Sequence, residues 1–98
     1  MKKDDIYRAA YAKWGTSAQQ MMLIEEMGEL MQAMSKMYRL NSTPSALSNL
    51  ASVRSHFIEE IADVQIMLEQ TIFIHEIKKE VKAVMAKKLK RLSERVKP

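Results

Sequence analysis

Two short acidic clusters, Glu25-Glu26-x-x-Glu29 and Glu59-Glu60-x-x-Asp63, interrupt stretches that are otherwise apolar and helix-forming. Wound as a helix with Glu26 set to zero, the first stretch puts Glu29 at about 300°, on a face shared with Met22, Leu30, Ala33 and Met37. The second stretch repeats the pattern: with Glu60 at zero, Asp63 falls at about 300° beside Val53, Val64 and Met67. Glu25 and Glu59 take the border of each face, at about 260°. A carboxylate on a packing face is costly unless something pairs with it, and no Lys or Arg shares either stripe. Either the pKa values of Glu26, Glu29, Glu60 and Asp63 rise, or a hard cation held between them answers this cost. Oxygen-only ligands favour magnesium or manganese over zinc or copper. A di-iron carboxylate bundle would need Glu-x-x-His pairs, and no Glu here has a His three positions later.

Elements that could present the clusters to one another are legible in the punctuation. Only 2 Gly and 2 Pro, with long runs of Ala, Leu, Met, Glu and Lys, predict an all-α chain. A first helix is expected from about Asp4 to Trp14, ended by Gly15, and a second from Thr16 or Ser17 to about Leu40. Asn41-Ser42-Thr43-Pro44-Ser45 supplies a turn, with Thr43 as a cap and Pro44 at the first helical position of a third helix that runs to about His75. A last helix, Ile77 to Val96, carries an apolar stripe through Val81, Val84, Met85, Leu89 and Leu92. Folded as an antiparallel hairpin, the second and third helices bring the clusters to matching heights. Glu29 lies about 18 Å before Asn41 and Glu60 about 22 Å after Ser45 at 1.5 Å per residue.

The 98-residue chain is expected to form one domain, residues 1–98, whose core is small enough that help from a partner subunit is anticipated. Absence of cysteine excludes thiolate zinc sites and disulfides and suggests a reducing, cytoplasmic setting. Neither a signal peptide nor a membrane span is expected, since the most apolar stretch, Ile61 to Ile77, holds Asp63, Glu69, His75 and Glu76. Charge is unevenly spread. Residues 78–98 hold nine Lys or Arg and two acidic residues, net +7, whereas the first 77 residues hold seven and ten, net −3. That acidic body argues against nucleic acid as the main partner, although a basic last helix keeps the reading open; such binding would weaken steeply with salt.

Beyond the carboxylates, Lys13-Trp14-Gly15 with Gln19, Leu23-Ile24-Glu25-Glu26-Met27-Gly28-Glu29-Leu30, Ile58-Glu59-Glu60-Ile61-Ala62-Asp63-Val64 and Ile66-Met67-Leu68-Glu69-Gln70 resemble the small single-domain members of the MazG-like all-α nucleoside triphosphate pyrophosphohydrolases. The resemblance spans roughly Lys13 to Gln70. It implies that Glu26, Glu29, Glu60 and Asp63 hold Mg2+, with Mn2+ as a substitute, and that Glu25 orients or deprotonates the attacking water. It also implies a homodimer or homotetramer with a four-helix-bundle-type core, and hydrolysis of a nucleoside triphosphate to monophosphate and pyrophosphate. Narrower activities within the same superfamily, on phosphoribosyl-ATP, dUTP or dCTP, stay open, as does a silent interaction module that keeps the bundle.

Other residues have two readings each. Lys88, Arg91 and Arg95 line one edge of the last helix's apolar stripe and could donate to phosphates, or could snorkel from that border for packing alone. Gln19 lies on the metal face two turns before Glu26 and could touch substrate, or could complete a capping box with Thr16. Trp14 and Tyr11 could stack on a base, or could pack a small core. His56, one turn before Glu60, is a candidate to act behind the carboxylates. Six methionines on the second helix, Met21 to Met37, point to adaptable packing or a subunit contact.

Overall fold

The structure, a computed structural model, describes residues 1–41 and 50–98 as four helices with no strand among them. These are α1 (Lys3–Trp14), α2 (Thr16–Asn41), α3 (Leu50–His75) and α4 (Lys78–Arg95). The helical expectation holds, with boundaries within one residue for the first two helices and the last. The expected Thr43 cap and Pro44 start of the third helix lie outside the described residues.

Local chemistry accounts for the first break. Asp4 and Asp5 in the first turn of α1 and Lys13 in its last turn complement the helix dipole. Gly15 adopts φ 87°, a region costly for any side chain, and its N–H donates to the Tyr11 carbonyl at 2.9 Å. The chain reverses there, and α2 begins at the next residue.

Helices α2 and α3 form the antiparallel hairpin. Gln19 pairs with Gln70 near one end, and Glu26 meets Glu60 and Asp63 further along, so residue numbers fall on one helix as they rise on the other. Leu23 and Ala33 of α2 and Val53, Val64 and Met67 of α3 fill the seam. Each lies within about 60° of the phase predicted for the inward stripe. Helix α1 runs beside α3 in the same direction: Tyr7 donates to Glu69 Oε2 at 2.6 Å, Lys3 Nζ reaches the same oxygen at 3.1 Å, and the Tyr7 and Phe73 rings lie 6.1 Å apart. Burial and the bond to Glu69 push the Tyr7 phenol up to about 12, while donation from Tyr7 and then Lys3 holds the Glu69 carboxyl below its usual range.

The α3–α4 break has no glycine or proline. Ile77 N–H donates to the Ile72 carbonyl and Glu76 N–H to the Phe73 carbonyl, both at 3.2 Å, which is the paired closure of a Schellman motif. Glu76 occupies its left-handed position at φ 55°. Helix α4 then leaves the body, touching only α3 among the described elements, and buries no residue. Its apolar stripe, expected to pack, is exposed within this chain: Leu89 is 61% and Leu92 53% accessible. The radius of gyration, 17.4 Å, is far above the about 12.6 Å of a compact domain of this length. Among the described residues no helix is long and apolar enough to cross a membrane.

Candidate functional site

Glu26, just under one turn beyond the hairpin's Leu23, faces Glu60 and Asp63 across the α2–α3 seam. One carboxylate oxygen from each of the three lies within 4.8 Å of the other two. Their burial is graded: Glu60 is buried, Glu26 half-buried and Asp63 exposed, so the cluster opens from the seam towards solvent. Inward phase and matching height put them there. Val53, Val64 and Met67 share the inward face of α3 with Glu60, and Ala33 lies on the same face of α2 two turns beyond Glu26.

The cluster's charge has few partners among the described residues. Oε2 of Glu26 and Oε2 of Glu60 are buried without any hydrogen-bond partner. Burial first, then the charges of Glu29, Asp63 and Glu60, push the Glu26 carboxyl up to about 7. No Lys or Arg forms an ion pair with the cluster among the described contacts; the nearest basic group is His56, whose Nε2 lies 3.7 Å from Glu60 Oε1. Crowded carboxylates with orphaned oxygens and hard donor atoms suit a divalent cation of the magnesium or manganese kind. Glu26, Glu60 and Asp63 could thus hold a metal ion.

Other predicted residues are distributed differently. Glu29 stands outside the three-oxygen group and is exposed, yet it is close enough for its charge to be the largest electrostatic influence on Glu26. Glu25 is exposed on the border, as is Glu59. Gln19 is no capping-box partner: its side chain is buried and its Oε1 accepts from Gln70 Nε2, across the hairpin. Trp14 is not a core residue, being 57% exposed with Lys13 Nζ 5.1 Å from its ring centroid, whereas Tyr11 is buried as the packing reading requires. Trp14 also sits at the far end of the hairpin, since ten residues of α2, about 15 Å, separate Thr16 from Glu26. Lys88, Arg91 and Arg95 are exposed on α4, which does not approach α2 in the same chain.

Two groups escaped the sequence reading. Gln70 is the buried partner of Gln19, and Lys3 with Tyr7 and Glu69 ties α1 to α3. Gln70 falls at about 280° relative to Glu60, at the border of the inward stripe, so helical phase alone gave no clear signal for its burial. The Lys3–Tyr7–Glu69 set had none, because it depends on which side of α3 the first helix docks. Compared with family profiles, with curated proteins and with solved structures, the chain matches none.

Proposed function

We propose that this chain hydrolyses nucleoside triphosphates, ribo- or deoxyribo-, to nucleoside monophosphate and pyrophosphate in a Mg2+-dependent reaction. The observation that carries the reading is the buried Glu60, with an orphaned oxygen, converging with Glu26 and Asp63 within 4.8 Å. Glu26, Glu60 and Asp63 would hold the cation, and Glu29, exposed and one turn from Glu26, completes the set by swinging its side chain inward. A cation held there would offset the triphosphate's charge, polarise a P–O bond and lower the pKa of bound water.

The residues' own work is positioning and proton handling. Glu25 accepts a proton from the attacking water as the water oxygen bonds to the α-phosphorus; the α–β anhydride bond breaks, and pyrophosphate departs with the bridging oxygen. His56, 3.7 Å from Glu60, restrains that carboxylate when protonated. The graded burial of the cluster sets the approach, with phosphates entering from the Asp63 side and Glu60 at the floor. Lys88, Arg91 and Arg95 belong to the reading as phosphate donors only through a second copy, because α4 leaves its own hairpin. A homo-oligomer is therefore part of the proposal.

The test is pyrophosphate release from a panel of standard ribo- and deoxyribonucleotides, with Mg2+ and with excess chelator. Release confined to the Mg2+ arm is expected, with the monophosphate as the other product. Release of inorganic phosphate instead, or turnover that survives chelator, would overturn it.

A further inference from the structure

Helix α4 has an apolar side that its own chain leaves bare, and its charges are ordered about that side. Measured from Ile77, Val81, Met85, Leu89, Leu92 and Val96 fall between about 40° and about 120°. Met85, Leu89, Leu92 and Val96 are 53–71% exposed, so four apolar side chains stand in water along about 16 Å of the arm. Arg91, Arg95 and Lys88 follow one border of the stripe, from about 320° to about 20°, and Lys82 lies on the other border at about 140°. The arm's two acidic residues, Glu80 and Glu94, stand at about 300° and about 260°, at least about 140° from the middle of the stripe. Residues 78–98 carry net +7, against −3 for the rest of the chain. The arm touches only α3 among the described elements and buries no residue, so the stripe and both of its basic borders reach solvent together.

We propose that α4 docks on a membrane surface rich in anionic lipid, its stripe entering the boundary between headgroups and acyl chains and its borders resting on lipid phosphates. Charge complementarity and the order of residues around the helix select this occupant. Such a surface offers apolar depth beneath a layer of negative charge. Helix α4 offers apolar side chains in the middle and Lys or Arg at both edges, with stems long enough to carry their charges back to the headgroups. Nucleic acid would use the net +7 but leave the four apolar side chains in water. The helix is too polar to cross a bilayer and lies in its plane instead. The acidic body is repelled by the same surface, which confines contact to the arm. This inference does not rest on the proposed hydrolysis. Lys88, Arg91 and Arg95 belong to both readings, so an arm lying on lipid is withdrawn from a second copy's substrate.

Flotation of the full chain with lipid vesicles is the test. Vesicles of equal parts phosphatidylglycerol and phosphatidylcholine are expected to carry the chain upward, and vesicles of phosphatidylcholine alone to leave it behind. Raising salt from about 0.1 M to about 0.5 M should weaken the binding at least about tenfold. Leu89→Gln combined with Leu92→Gln keeps every charge and replaces residues 61% and 53% exposed; circular dichroism verifies that the hairpin stays folded. That double variant should bind the anionic vesicles at least about tenfold more weakly, because the stripe no longer enters the apolar layer. Lys82→Gln should weaken binding about fivefold through the loss of one border charge. Indifference to the leucine changes would reduce the arm to a basic patch, and tighter binding to a DNA duplex than to the anionic vesicles would assign it to nucleic acid; either overturns the proposal. So would a chain that ignores anionic vesicles, the result expected if a second copy covers α4.

Discussion

Helix α3 and helix α4 adjoin in sequence, yet only one of them is held by its own chain. Helix α3 buries Val53, Val64 and Met67 together with two polar residues, Glu60 and Gln70; α4 carries a cleaner apolar stripe and buries nothing. Amphipathic pattern therefore predicts that a helix has a packing face, not that the face is filled from the same molecule. The difference lies in placement. Helix α3 returns alongside α2, whereas the left-handed Glu76 turns α4 away before it can reach any other helix.

The contrast can be broken most severely at the buried carboxylate. Glu60→Gln should lower Mg2+-dependent pyrophosphate release by at least about a hundredfold, the scale seen when a charge-stabilising group is lost from an active site. In metal-free protein the same change removes a charge from the acidic cluster, so thermal stability should stay level or rise. Retained activity would remove the metal reading, and a collapse of helicity would mean that Glu60 is structural. Next in size is a matched pair of truncations. Met67→Ala should cost about 2–5 kcal/mol in chemical denaturation of dilute protein, while Leu92→Ala should cost less than about 0.5 kcal/mol. Equal costs in dilute protein would show that α4 is packed in cis.

Titration sharpens the contrast further, because only the hairpin carries a strongly shifted carboxylate. The folded chain holds the Glu26 proton up to about pH 7, whereas the unfolded chain releases it near 4.5. The folded state therefore binds more protons between those values, and metal-free stability should fall as pH rises from about 4.5 to about 7. Mg2+ should offset that fall, with its stabilisation growing across the same window as the cation replaces the proton. Melting temperatures against pH, with Mg2+ and with chelator, check both slopes; parallel curves would contradict the prediction. The smallest effect belongs to the turn itself. Glu76→Gly should stabilise the chain by at most about 1 kcal/mol, since relief of the left-handed strain is partly cancelled by glycine's freedom in the unfolded state.

Much of this arrangement was legible in the residues, and what was not follows a physical line. Helical phase placed Glu26, Glu60 and Asp63 inward because that phase is local, and Gly15 marked the α1–α2 reversal because only glycine enters such a backbone without strain. The break between His75 and Ile77 was expected as well, although no glycine or proline marks it; Glu76 takes the left-handed position that a glycine usually fills. Of the two readings of Gln19, only the capping one is displaced. Its spacing from Thr16 satisfies a capping box, but the winning partner, Gln70, lies 51 residues away and becomes available only once the hairpin closes. Trp14, large and apolar, has no facing surface at the hairpin's end and remains half in solvent.

The Gln19–Gln70 pair reaches further than its size suggests. Both amides are buried, and each finds its partner only at this one alignment of α2 against α3. Sliding the helices past each other by a single turn, about 5.4 Å, would keep the apolar seam greasy but strand two amides without partners. Leu, Met and Val tolerate such a slip; glutamines do not. An uncharged lock two turns away thus indexes the hairpin, and the meeting of Glu26 with Glu60 and Asp63 inherits its accuracy from it.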